Sequence, residues 1–268
     1  MSAGPEQAAE LQAAVAAAEA RLPLLGLAPV FLPEPARPLF LAWAALVDEW
    51  QEAAFESSDP RVRTARCAWW AEELAGMARG ASRHPLARRL AAPALPWVGL
   101  AQALLPFAED DAPAADAAAA ETALWPLASA LALLDARLSG SAAVSPEDVR
   151  RFVRHAQVRV LASGCGLEGA AGIPLAFWAR HGRRRDEAGT APEVHRDWAR
   201  HLQQSNAPPR RGESLLCRLL ADSDRRQLAA LAAGRRPLPP PLWRRPFAAW
   251  RCARDAALQY RLPPVADT

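Results

Sequence analysis

A chain of 268 residues in which 51% are hydrophobic can close a full core, which excludes a disordered polymer. All 32 basic residues are Arg and the net charge is only +3, so a nucleic acid is not the favoured partner. That charge is uneven: residues 1–150 carry 11 Arg and 19 acids, residues 151–268 carry 21 Arg and 10 acids. Either the two halves attract each other within one domain, or the second half meets an anionic partner.

Residues 6–21 are Ala-rich and predict a helix. Residues 22–38 hold Pro23, Pro29, Pro33, Pro35 and Pro38 and predict an extended, turning segment. From 39 to 56 a helix is predicted, with Trp43, Val47, Trp50 and Ala54 as its apolar face. Asp48, Glu52 and Glu56 recur every fourth residue on its other side, either as a solvated stripe or as a ligand set. Ser58-Asp59-Pro60 starts the next helix, which runs through Trp69-Trp70 and stops at Gly80; His84-Pro85 starts a short one. An acidic connector at 109–117 precedes a long helix at 118–138 that Pro126 is expected to kink. Ser145-Pro146-Glu147-Asp148 is an N-cap signature for a helix to about 162. Helices are predicted near 175–181 and 192–204, with loops at 205–212 and 234–241 and helices between and after them. No run alternates apolar and polar residues, so no sheet is predicted.

Other signals are weaker. Gly164-Cys165-Gly166-Leu167-Glu168-Gly169 spells a dinucleotide motif, with Asp186 and Glu187 near the ribose-ligand distance, but Pro174 cuts the following helix short. A glycine-rich turn between helices is the competing reading. His195-Arg196-Asp197 lacks the partners of a kinase loop, and His195 and His201 lack zinc-ligand spacing. The four Cys (Cys67, Cys165, Cys217, Cys252) form no C-x-x-C, which fits reduced buried thiols and a cytoplasmic location. The N-terminus is unlike a signal peptide. The longest apolar stretches, 22–33 and 123–134, contain Pro and are short for a transmembrane segment; peripheral membrane contact stays open.

Three segments together resemble the squalene/phytoene synthase family, the head-to-head trans-isoprenyl diphosphate synthases. They are Phe31-Leu32-Pro33 with Arg37; Ala68-Trp69-Trp70-Ala71-Glu72-Glu73-Leu74 with Gly80 and Arg83-His84-Pro85-Leu86-Ala87; and Ile173-Pro174-Leu175 with Ala179-Arg180-His181-Gly182. The resemblance implies an all-α single-domain bundle of the isoprenoid synthase type around a central cavity. It also implies magnesium held by two Asp-rich motifs, because cations must stabilise the departing diphosphate. Counted without gaps from Arg37, the first motif falls on Gln51, Glu52, Ala53, Ala54 and Phe55, keeping one carboxylate; counted back from Pro174, the second falls on Leu161 and Cys165, keeping none. The sequence therefore resembles a degenerate branch of the family, and is similar in this loss to a branch related to a mitochondrial assembly factor of respiratory complex I.

The expectation is a protein without magnesium-dependent condensation that binds a prenyl lipid or prenyl diphosphate, or serves a protein partner as an assembly scaffold. No cofactor is expected. The alternative is an active prenyltransferase, with magnesium on Asp48, Glu52 and Glu56 as displaced ligands. The candidate pocket or ligand-facing residues are Asp48, Glu52, Glu56, Trp69, Trp70, Glu73, Arg83, His84, Arg180 and His181, with no catalytic or metal residue assigned. Trp69-Trp70 either packs in the core or lends one ring to the cavity. Arg180-His181 and the run Arg183-Arg184-Arg185 are either solvated or meet a diphosphate.

Overall fold

The structure is a computed structural model that describes residues 5–57, 59–109, 112–141, 143–164, 167, 169–185 and 191–262. Among these the chain forms twelve α-helices and no β-strand, Ser214 and Ala257 making only an isolated bridge. Ser58, Cys165, Gly166, Glu168, Asp186 and Glu187 lie outside the described residues.

Helix α1 (Pro5–Arg21) leads into two 3-10 turns, Leu25–Phe31 and Glu34–Ala36, where an extended segment was expected. The prolines there act as acceptors: Leu32 N–H donates to Pro29 O at 3.1 Å and Ala36 N–H to Pro33 O at 2.9 Å. Helix α2 (Arg37–Gln51) takes Pro38 in its first turn and passes directly into a π-turn, Glu52–Glu56. Helix α3 (Pro60–Ala78) is capped by Asp59, which accepts from Arg61 N–H at 2.9 Å. Then come α4 (Pro85–Leu90), α5 (Trp97–Leu104) and α6 (Pro106–Glu109). The last two were not predicted, because Pro93, Pro96 and Pro106 interrupt the period over which a helix can be read.

Helix α7 (Ala117–Ser139) runs on through Pro126. By length and composition it would pass for a membrane-spanning helix, contrary to the reading of 123–134 as too short. Its packing on α5 and α8 and its buried carboxylate Asp135 suit a bundle helix. Helix α8 (Pro146–Ser163) opens with the full capping box of Ser145 and Asp148 and closes on Gly164, whose φ of 72° is left-handed. Val158 to Leu161 thus belong to a helix, which removes the strand that a dinucleotide motif needs. Helices α9 (Leu175–Arg180), α10 (Pro192–Gln204), α11 (Leu215–Ala232) and α12 (Arg245–Ala253) complete the bundle, a 3-10 turn at Leu242–Arg244 preceding the last.

Helix α2 is the centre of the core, with Phe40, Trp43, Leu46, Val47 and Trp50 buried. Trp43, Trp50, Trp70 and Trp69 form an edge-to-face chain with successive centroids 5.8, 5.8 and 4.8 Å apart. Trp43 Nε1 donates to Asp135 Oδ1 of α7 at 2.8 Å, and Cys217 Sγ of α11 donates to Asp135 Oδ2 at 3.4 Å. Burial pushes the Asp135 carboxyl up to about 6. The sole Tyr, Tyr260, is buried against Phe40 and accepts from Leu216 N–H at 3.2 Å, tying the C-terminal segment to the bundle.

Part of the Arg surplus of the second half is structural. Arg154 donates to Leu202 O at the end of α10, and Arg218 to Cys252 O at the end of α12, filling carbonyls that helix ends leave open. Buried thiols are equally inert: burial raises Cys67 and Cys252 to about 11.

Candidate functional site

Helices α1, α2, α8 and α11 and residues 236–240 line an open cavity of about 470 Å³. Leu22, Leu25, Val47, Leu216 and Leu220 give it apolar walls, and Pro237, Leu238, Pro239 and Pro240 form part of its rim. Its charged and imidazole lining is Arg21 from α1, Asp48 and Glu56 from α2 and the π-turn, His155 and Arg159 from α8, and Arg226 and Arg236. An apolar pocket of this size with a few convergent polar groups is the usual form of a small-molecule site.

The acidic stripe is an ion network. Arg159 donates from Nη1 to Asp48 Oδ1 at 2.6 Å and from Nε to Glu56 Oε1 at 2.5 Å. Arg21 bridges Asp48 and Glu52, and Arg66 of α3 donates to Glu52 Oε1 at 3.0 Å. Three guanidiniums thus face three carboxylates. Burial tends to raise Glu52, but Arg21 and Arg66 outweigh it and hold the carboxyl below its usual range. Arg21 loses solvation in turn, yet Asp48 and Glu52 keep its guanidinium above its usual value. Asp48 is buried and Glu52 and Glu56 are half-buried, so the stripe is not the solvated face that the sequence also allowed.

The π-turn makes the bridge to Glu56 possible. In an unbroken α-helix Glu56 would sit about 80° around the axis from Asp48. The wider π-turn winds less per residue and brings Glu56 back toward the same side, within reach of one Arg159.

The other candidate residues lie elsewhere. Glu73 is buried and accepts backbone N–H groups from Arg83 at 2.6 Å and His84 at 2.8 Å, so it fixes the corner between α3 and α4. Trp70 is buried with His84 edge-on at 5.0 Å, while Trp69 is 38% exposed under Arg83. Gly76 is required in the same corner, since a Cβ there would lie 2.8 Å from Ala81 O. Burial holds His84 below its usual value. Trp69, Trp70, Glu73, Arg83 and His84 therefore build a corner instead of facing the cavity, because the Glu73 hydrogen bonds turn the chain inward on itself. Arg180 and His181 close the end of α9 outside the cavity lining, next to Asp197 and the ring of Phe177. Arg183 of the basic run donates to Glu193 at 2.9 Å.

Sequence reasoning missed Arg21, Arg159, Arg236 and a buried pair, His155 Nδ1 with Asp224 Oδ1 at 2.8 Å. The pair sets the orientation of an imidazole on the cavity wall. The signal available for Arg159 was an arginine between valines in a helix whose buried residues run unbroken from Arg151 to Leu161. No group of three or more His, Cys, Asp or Glu side chains among the described residues is placed to hold a metal ion.

No protein-family model matches the sequence, and no curated protein matches it significantly. The structure is similar to the crystal structure of squalene synthase HpnC from Alicyclobacillus acidocaldarius. The two are 18% identical with a TM-score of 0.53, covering 88% of this chain and 98% of that one. At that identity the likeness is one of fold, and the chain is an all-α bundle of the isoprenoid synthase type with the squalene synthase architecture.

Proposed function

We propose that this protein holds a prenyl lipid in the cavity between α1, α2, α8 and α11 without magnesium-dependent condensation. The observation that carries the reading is the engagement of Asp48 and Glu56 by Arg159. Magnesium wants several oxygen ligands in octahedral geometry. Here the carboxylates of α2 are taken up by guanidiniums, and α8 contributes an arginine to the facing wall, so the donor set does not fit the ion. A second cation beside Arg159 would meet like-charge repulsion in a partly buried site. The apolar walls suit an isoprenoid chain. Arg236, which has no ion-pair partner among the described residues, lies on the rim where an anionic head would emerge.

Calorimetric titration with a non-cleavable farnesyl diphosphate analogue, with and without magnesium, tests this. Binding of equal strength in both buffers is expected. Absence of binding in both would remove the prenyl ligand and favour a scaffold that serves a protein partner. Binding only with magnesium would restore the alternative, an active prenyltransferase using Asp48, Glu52 and Glu56, for which Glu52→Gln should abolish turnover.

A further inference from the structure

Helix α12 presents its residues in an inverted order. Its inward positions are Ala248, Ala249, Cys252 and Ala253, whereas Phe247 is 61% exposed and Trp250 is exposed beside it, the two rings stacked at 5.5 Å. The preceding loop and turn add Leu238 at 77%, Leu242, and Trp243 at 74% exposure. The 3-10 turn Leu25–Phe31 packs on α12 and contributes exposed Val30. Large exposed apolar side chains gathered on one helix, the turn ahead of it and the turn packed on it mark an interaction face.

The charge on this face identifies the partner. Residues 235–254 contain six Arg and no Asp or Glu. Arg244 lies over the Trp243 ring at 4.5 Å, Arg251 over Phe247 at 5.5 Å and Arg254 over Trp250 at 5.5 Å. Asp222 and Asp255 partly neutralise Arg251 and Arg254. Arg235, Arg236 and Arg244 are exposed with no acidic partner among the described residues. Large aromatic rings interleaved with arginines are what a surface helix uses at the headgroup level, the rings entering the interface and the guanidiniums meeting lipid phosphates. The same chain continues into the cavity rim, which Arg236 to Pro240 line.

We infer that the face formed by residues 235–254 docks the protein on an anionic phospholipid bilayer and brings the cavity mouth to the membrane surface. The docking is read from the surface alone and stands whether or not the cavity takes a prenyl ligand.

Flotation of the full chain with phosphatidylcholine vesicles, with and without phosphatidylglycerol, tests it. Binding should favour the anionic vesicles at least about tenfold and weaken with salt. Replacing Arg235, Arg236 and Arg244 by Ser should cost roughly fivefold per arginine. Trp243→Ala with Phe247→Ala should lower binding about tenfold at any salt, with unchanged helix content and Tm. Failure of the wild type to bind anionic vesicles would overturn the inference, as would undiminished binding by the variants. Self-association abolished by Trp243→Ala, without vesicle binding, would reassign the face to a second copy of the chain. Salt-sensitive capture of single-stranded RNA without vesicle binding would reassign it to nucleic acid.

Discussion

Trp43 in α2 is fully buried with its Nε1 held by Asp135, whereas Trp243, just ahead of α12, stands 74% exposed beneath an arginine. The same contrast runs through both regions. In α2 the large side chains point inward and the charges that come with them are matched by guanidiniums from α1, α3 and α8. In α12 the small side chains point inward and the rings and arginines are left facing out. Residue type alone therefore says little about role here; what differs is whether the fold supplies a partner. Partnered tryptophans and arginines hold the bundle together, and unpartnered ones are available to something outside it.

Substitutions can break that comparison, beginning with the largest expected effect. Trp43→Ala should destabilise by about 5 kcal/mol, near the top of the range for a buried Trp, because Asp135 also loses a donor. Chemical denaturation measures it, and a loss below about 1 kcal/mol would mean that α2 is not the core element described. Arg159→Met leaves Asp48 and Glu56 facing one another without their shared counter-ion and should cost about 3–5 kcal/mol. Magnesium should then raise the Tm of the variant and leave the wild type unmoved. Equal stabilisation of both would show that Arg159 does not occupy the place of a cation.

Asp135→Asn sharpens the contrast in the opposite direction. Burial raises the folded-state value of Asp135 from 3.8 to about 6, so between those pH values the folded chain holds this proton more tightly than the unfolded chain. Stability from this group is full below about pH 4 and falls as pH rises through 6, the loss reaching roughly 3 kcal/mol at neutral pH. Asn keeps an acceptor for Trp43 Nε1, so the variant should gain in Tm over the wild type between pH 4 and pH 7. A constant difference across that window would show that the carboxyl does not titrate as its burial requires. Smallest of all, Trp243→Ala should change stability by less than about 0.5 kcal/mol, as for an exposed residue without a structural role.

Helix starts were legible because they are local chemistry. Asp59-Pro60, His84-Pro85 and Ser145 to Asp148 each satisfy open N–H groups or fix φ within a few residues. The cavity was only half legible, since Asp48 and Glu56 stood out as a stripe while their partner Arg159 lies 111 and 103 residues away, and nothing in the chain reports that distance. Trp69-Trp70 with His84 carried the resemblance to the synthases, and in the structure they pack together at the corner between α3 and α4. The charge imbalance between the halves is in part resolved inside the molecule, where Arg159 meets Asp48 and Glu56 and Arg210 meets Asp148.

The π-turn at Glu52–Glu56 has a consequence for how chains of this fold are aligned. Ungapped counting treats a helix as a ruler with evenly spaced marks, and here one interval is stretched. A position matched before Glu52 and one matched after Glu56 do not keep the same angular offset as in a partner whose helix is regular. Lost motifs in divergent chains should be sought by which wall of the cavity a side chain faces, because a single extra residue in a helix turn can move a whole ligand set off the count while leaving it in place in space.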